Sequence, residues 1–206
     1  GAQLWRTSFD VHDIWDMPRN ENSPIGILTS IDVMANLFRF AGPGGWNDPD
    51  MLVVGLNNTG FIKGGGCNDI EYRTQMSMWC MFSAPLMMGC DIRNMNEATR
   101  TILLNKDIIA IDQDTLGKQG FRVFRKDGLE AWKKPLAGNK FAIALLNRNS
   151  GATTMNVSWQ QLELDPGTSY RMYDVWEHKT VGDPKTSLTT TLQPHETKVF
   201  VLSRPG

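Results

Sequence analysis

Near residue 115 the chain changes its hydrophobic pattern, and that change divides it into two kinds of fold. Up to about Leu116, short apolar runs alternate with helical spacing. Pro24 to Phe40 carries Ile27, Ile31, Met34, Leu37 and Phe38 at helical intervals. Ser23 before Pro24 reads as a cap followed by a first-turn proline, and Gly42 with Pro43-Gly44-Gly45 stops that helix. Met51 to Val54 and Pro85 to Gly89 are apolar runs of strand length. Glu71 to Phe82 and Asn96 to Leu104 read as two further helices, the last capped by Asn94 or Asn96. Strand and helix in alternation argue for a parallel sheet with crossover helices.

Beyond Leu116 the runs are short and closely spaced: Phe121 to Phe124, Leu129 to Trp132, Phe141 to Leu146, Thr153 to Val157, Tyr170 to Val175, Leu188 to Leu192 and Lys198 to Leu202. Turn signals such as Asp127-Gly128, Gly138-Asn139 and Pro166-Gly167 separate them, the pattern of an antiparallel sandwich. The expected division is residues 1–115 and 116–206, with the boundary within 114–120. A strand–helix unit takes roughly 30 residues, so the first part holds about three. A complete eight-unit barrel takes about 250. The first part is therefore a small open sheet or the last part of something larger. The opening Gly1-Ala-Gln-Leu-Trp5, with no initiator Met and no charged-then-apolar leader, fits a processed chain or one that starts inside a longer protein.

Composition narrows the partners. Of the 206 residues 41% are hydrophobic and 21% charged, with a net charge of -1. Disordered and fibrous classes do not fit. A near-neutral chain gives no electrostatic case for nucleic acid or an anionic membrane, and no apolar run approaches the roughly 20 residues of a spanning helix. Cys67, Cys80 and Cys90 form no CxxC, so neither a zinc site nor a disulfide scaffold is implied; free thiols, or one disulfide and a spare thiol, both fit. No cofactor or metal is expected. His12 has no partner ligands at suitable spacing. No targeting signal decides between a secreted and a cytoplasmic chain, and nothing sets the oligomeric state.

Two segments carry candidate chemistry. Gly42-Pro-Gly-Gly-Trp-Asn-Asp-Pro-Asp-Met51 gathers Trp46, Asp48 and Asp50. On an extended strand the two aspartates at i, i+2 face the same way. Carboxylates that bond hydroxyls, beside an indole that covers an apolar ring face, suit a sugar; the same residues also suit a turn. The second segment, Trp5-Arg6-Thr-Ser-Phe-Asp10 with His12, Asp13 and Trp15, offers an arginine to orient a carboxylate or bind a hydroxyl. Asp10 stands among aromatics, where a general acid's pKa rises. The alternative is a capped turn, with Asp10 or Asp13 as N-cap. Met76, Met78, Trp79, Met81 and Phe82 read as core with Cys80 an inert thiol, Asp91 as the cap of the next segment, and Asp112 to Lys118 as connection.

Taken in order, Trp5-Arg6-Thr7 with Asp10, Ala41-Gly-Pro-Gly-Gly-Trp-Asn-Asp-Pro-Asp-Met51, Ala84-Pro-Leu86 with Asp91, and Asp107-Ile-Ile-Ala-Ile-Asp-Gln-Asp114 with Leu116-Gly-Lys-Gln-Gly120 closely resemble glycoside hydrolase family 27, the α-galactosidases or melibiases. The resemblance covers essentially the whole chain. It implies an α/β part and an all-β part: the C-terminal portion (strands six to eight) of a (β/α)₈ TIM barrel, then an antiparallel β-sandwich. It implies a retaining exo-hydrolase that releases terminal α-linked galactose from galactosides. Asp10 matches the family's general acid/base and Arg6 the arginine beside it. Asp50 and Met51 match residues lining the galactose pocket, with Asp50 accepting from hydroxyls. Trp46 belongs to the same substrate loop, where with Asp48 it resembles a support.

The departure is the nucleophile. The family's attacking aspartate lies in a Lys-x-Asp segment of the fourth strand, and residues 1–20 hold no replacement. The loop that reads the sugar 2-substituent lies after the fifth strand. α-N-Acetylgalactosaminidase, β-L-arabinopyranosidase and isomaltodextran-type specificities therefore stay open. So does a galactose-binding fragment without turnover, although a parallel sheet with raw edges argues against an independent module.

Overall fold

A computed structural model describes residues 3–17, 24–60 and 65–204. Two short strands, β1 (Leu4–Arg6) and β2 (Trp46–Asp48), pair in parallel with Leu4 opposite Trp46 and Arg6 opposite Asp48. Helix α1 (Ile27–Met34) lies on the crossover between them, burying Ile27, Leu28, Ile31 and Met34. The segment from Pro24 to Phe40 is thus not one helix. Its helical part begins after Gly26, whose φ/ψ is extended, and a separate 3₁₀ turn spans Phe38–Phe40. Gly26 is required there: a Cβ would lie 2.6 Å from the Met17 amide nitrogen. Ser23, expected as the cap, lies outside the described residues.

The strand of the second unit is β2, not the apolar run after it. Met51 to Val54 contributes one parallel bridge, Leu52 to Met88, and Pro85 to Gly89 contributes only its other side. Asp50 at φ 85 and Gly55 at φ 82 explain this, because left-handed residues at both ends break an extended run.

Helix α2 (Asp69–Phe82) starts two residues before its apolar pattern. The Asn68 side chain accepts from the amides of Ile70 and Glu71, and the Glu71 carboxylate accepts from the Asn68 amide, a reciprocal capping box. Asn68→Ala should cost about 1 kcal/mol in urea unfolding, with the m-value unchanged. The Met and Trp side chains of α2 are buried on every side, as expected of core. Helix α3 (Glu97–Leu103) is capped by Asn96. Asp91 accepts from the Arg93 amide and so caps the following 3₁₀ turn, the role expected of it. Helix α4 (Lys106–Asp112), capped by Asn105, stands just before the expected connection, where the sequence suggested no element; at two turns it is too short to show a period.

The rest is antiparallel: β3 (Phe121–Lys126), β4 (Leu129–Leu136), β5 (Lys140–Asn147), β6 (Thr153–Ser158), β7 (Arg171–Asp174), β8 (Lys179–Gly182), β9 (Ser187–Leu192) and β10 (Thr197–Ser203). Seven match the expected runs; β8 is exposed along its length and has no apolar signature. One sheet has the order β3-β4-β5-β10-β7-β8, and β6 pairs with β9 in a second. The larger sheet is buried on both faces. Ala142, Ala144, Leu146 and Val199 face α2 and α4, while Ile143, Leu145, Phe200 and Leu202 face Met155, Val157 and Leu188 of the small sheet. That explains why Phe141 to Leu146 reads as a continuous apolar run, whereas β6 and β9 alternate.

Three arginines tie the two parts together. Arg122 and Arg148 of the sheet bond both Asp32 of α1 and the buried Glu130, and Arg125 lies within 3.6 Å of each. Burial raises the Asp32 pKa, but the surrounding arginines, led by Arg148, hold it below the usual carboxylate range. No helix among the described residues is long and apolar enough to cross a membrane.

Candidate active site

Parallel pairing sets the site. Because β1 and β2 run the same way, the segments that follow them, Thr7 to Asp10 and Pro49 to Met51, emerge at the same end. The ladder continues one step past the strands, with the Thr7 amide donating to the Asp48 carbonyl at 2.9 Å. Arg6, the last residue of β1, lies between two carboxylates: Nη1 is 3.0 Å from Asp50 Oδ1, and Nη2 is 3.2 Å from Asp10 Oδ1. The two acids differ in setting. The Asp50 side chain is 15% exposed and its Oδ2 accepts the Val11 amide at 2.8 Å; Asp10 is 79% exposed. Asp10 thus stands in the open beside a cation, rather than enclosed by the aromatics around it in sequence.

Asp50 is held by its backbone as well. Its φ of 85 is a left-handed conformation that costs a non-glycine residue about 1 kcal/mol. The amide donates to Asp48 Oδ1 at 2.8 Å, and the carbonyl accepts Trp79 Nε1 at 2.7 Å. The adjoining Pro49 carbonyl accepts the hydroxyls of Ser8 and Ser30. Gln75 accepts the Val53 amide at 2.9 Å and donates to the Met51 carbonyl at 3.3 Å. The two aspartates therefore do not share one face of a strand. Asp48 braces the turn, and Asp50 alone turns its carboxylate to Arg6.

Asp10, Asp50 and Met51 line an open cavity of about 660 Å³, together with His12, Asp13, Thr59, Gly60 and Gly89. Asp13 is 5% exposed and caps no helix. Its carboxylate accepts the amides of Asn58 and Cys67 and the Tyr72 hydroxyl, at 2.8, 2.9 and 2.8 Å, and so ties the 55–60 loop to α2. Burial, with that bond to Asp13, raises the Tyr72 phenol above its ordinary pKa. Asp13 and Trp79 are contributors that the sequence reading placed elsewhere. The signal for Trp79 was available: an indole N–H in an apolar helix needs an acceptor.

Trp46 is not brought to this cavity. It begins β2, at the opposite end of the strands, and lines a separate cleft with Leu4, Pro85 and Asp112. Its ring packs on Gly117, where a Cβ would come within 3.0 Å of it, so it props the chain rather than covering a sugar in the Asp50 cavity. The three cysteines are free, and burial raises the thiols of Cys67 and Cys80. Among the described residues no group of three or more His, Cys, Asp or Glu is placed to hold a metal.

Two family models match the chain: the melibiase model described as alpha galactosidase A over residues 1–114, and the alpha galactosidase C-terminal beta sandwich domain over residues 126–202. The chain is similar to the alpha-galactosidase of Cyamopsis tetragonoloba, 40% identical over 97% of this chain and 44% of that protein. A solved structure of a putative alpha-galactosidase/melibiase from Bacteroides fragilis superimposes with a TM-score of 0.89 at 42% identity, over 98% of this chain and 43% of that one. A β-L-arabinopyranosidase from Geobacillus stearothermophilus follows at TM-score 0.84 and 26% identity, over 98% and 45%. The chain spans less than half the length of each of these three proteins.

Proposed function

The chain belongs to the alpha-galactosidase (melibiase) family, with part of that family's barrel followed by an antiparallel β-sandwich, and from that premise we propose that it carries the acid/base side of a retaining exo-glycosidase that releases terminal α-linked galactose. Residues 1–115 are read as the barrel portion and 116–206 as the sandwich. The observation that carries the proposal is Arg6 held between Asp10 and Asp50, the two carboxylates that line the cavity.

Each group then has a task that its setting suits. Asp10 is exposed at the cavity, so a leaving-group oxygen and later a water can reach it. It protonates the glycosidic oxygen in the first step and takes the proton from water in the second. Arg6 orients the Asp10 carboxylate and is itself fixed by Asp50. Asp50 keeps free lone pairs after bonding Arg6 and Val11, and these accept sugar hydroxyls. Met51, 37% exposed, offers its thioether to the apolar edge of the ring. Galactose is preferred to N-acetylgalactosamine or arabinopyranose because the relative at 40% identity is named an alpha-galactosidase, while the arabinopyranosidase stands at 26%.

A retaining mechanism needs a second carboxylate about 5–5.5 Å from the first, to attack the anomeric carbon from the opposite face. No Lys-x-Asp segment occurs anywhere in these 206 residues. The purified 206-residue chain should therefore bind galactose weakly, with shifts at the Val11 and Met51 amides in an NMR titration, and should give no turnover of nitrophenyl α-galactoside above buffer. Turnover by this chain, or equal shifts with glucose and galactose, would overturn the reading.

A further inference from the structure

The turn between β9 and β10 reaches out of the sandwich and touches Trp15 and helix α2, which back the segments that shape the cavity. We propose that His195 in this turn is a positioning residue: it anchors the 55–60 wall of the cavity and the segment that follows Asp10. What the cavity binds rests on the functional reading above; the anchoring itself does not.

His195 has φ 61, in the left-handed region that few non-glycine residues occupy. Three contacts hold it there. Its imidazole stacks on Trp15 with centroids 4.6 Å apart and planes 17° off parallel. Its Nδ1 lies 2.6 Å from Glu71 Oε1. Its carbonyl accepts the Thr74 hydroxyl at 2.7 Å. The next residue, Glu196, is bound by Arg73 at 2.8 Å. Three residues of helix α2, Glu71, Arg73 and Thr74, thus grip one turn of the other part of the chain together with Trp15.

From His195 the contacts run to the cavity in two short paths. Glu71 is buried, and its other oxygen accepts the Asn68 amide. The neighbouring Gly66 and Cys67 amides are bound by the Asp13 carbonyl and carboxylate, and that same carboxylate accepts Asn58 in the cavity wall. Trp15 lies two residues beyond Asp13, and its carbonyl holds the Leu28 amide at the start of α1. With the imidazole removed, one Glu71 oxygen is left buried without a donor and Trp15 loses its stacked face. A buried carboxylate in that state turns toward water and releases the Asn68 amide.

Amide hydrogen exchange on the 206-residue chain tests this. In His195→Ala the amides of Asn58, Cys67 and Asn68 should exchange about tenfold faster, while those of Ala144 and Val199 in the central β5–β10 pair stay within about twofold. His195→Asn should restore slow exchange at Asn68 and Cys67, because asparagine tolerates the left-handed turn and its amide nitrogen sits where the imidazole Nδ1 does. Unchanged exchange in the alanine variant, a rise of equal size at Ala144 and Val199, or failure of the asparagine variant to restore protection would each overturn the proposal. Galactose titration of the unaltered chain decides the functional reading independently. A chain that binds no galactose but opens locally in His195→Ala keeps the anchor and loses only the sugar.

Discussion

Asp50→Asn should weaken galactose binding about 30-fold and lower unfolding stability by about 2 kcal/mol. The carboxylate meets the Arg6 guanidinium at 3.0 Å through one oxygen and the Val11 amide at 2.8 Å through the other. The amide side chain can still accept from one of these donors, but its nitrogen then faces the other, and a donor left facing a donor costs about 1–3 kcal/mol. Arg6 retains the exposed Asp10 and the Ser8 carbonyl, so its position beside Asp10 loosens. Asn tolerates φ 85, whereas alanine does not, so Asp50→Ala should lose about 1 kcal/mol more than Asp50→Asn. Urea unfolding and galactose titration of both variants measure these differences. Equal stability for Asn and Ala would remove the backbone part of the argument, and unchanged galactose affinity would remove Asp50 from the site.

The parts of the fold legible in the sequence are those in which one face of an element is buried and the other is not. The strands β6 and β9 alternate because Met155, Val157, Leu188 and Leu192 face the sandwich core and their neighbours face water. The change of pattern near residue 115 has a related source: helical spacing gives way to short runs bounded by turn residues. Elements with no such contrast were missed. Strand β8 is exposed throughout, and α4 is too short to establish a period. The run Met51 to Val54 carries the apolar content of a strand, but Asp50 and Gly55 take left-handed conformations that pattern alone does not reveal.

The candidate site divides in the same way. Arg6, Asp10 and Asp50 stand out as charged residues in segments rich in aromatic, Gly and Pro residues, which suit a turn as well as a site. The residues that hold them do not stand out. Asp13 reads as an N-cap, but it is buried, and its three acceptor contacts come from Asn58, Cys67 and Tyr72, all more than 40 positions away. Trp79 reads as core, and it is core, yet its indole nitrogen also carries the carbonyl of Asp50. Trp46 shows the converse. Next to Asp48 and Asp50 in sequence it looks like part of a sugar platform, but it begins the strand that Asp50 follows, so it lies at the far end. Adjacency in sequence matches proximity in the fold only where the strand has already ended.

Lys134→Met should destabilise the chain by about 3 kcal/mol at pH 7, and by about 1 kcal/mol at pH 5. Lys134 is fully buried in β4; its ammonium donates to the Cys80 carbonyl at 3.1 Å and to the Ser83 hydroxyl at the end of α2. Burial pushes its pKa down to about 8, against the pull of Asp112. Burial likewise pushes Asp112 up to about 6, against the pull of Lys134, and Asp112 Oδ1 has no hydrogen-bond partner. A carboxyl raised in the fold contributes stability that is present below its unfolded pKa and lost as pH rises through about 6. An amine lowered in the fold contributes stability that is present above its unfolded pKa and lost as pH falls through about 8. Between pH 6 and 8 both groups are charged, and each charge is tolerated mainly because the other is there. Methionine removes the cation, so Asp112 titrates above 6 and its ionised form has no compensation at pH 7. At pH 5 Asp112 is protonated in both proteins, and only the two bonds to Cys80 and Ser83 are missing. Urea unfolding at the two pH values measures the gap, and adding Asp112→Asn to Lys134→Met should restore most of what is lost at pH 7. A penalty that is the same at both pH values would mean that Lys134 acts only through Cys80 and Ser83, and that the coupling to Asp112 is absent.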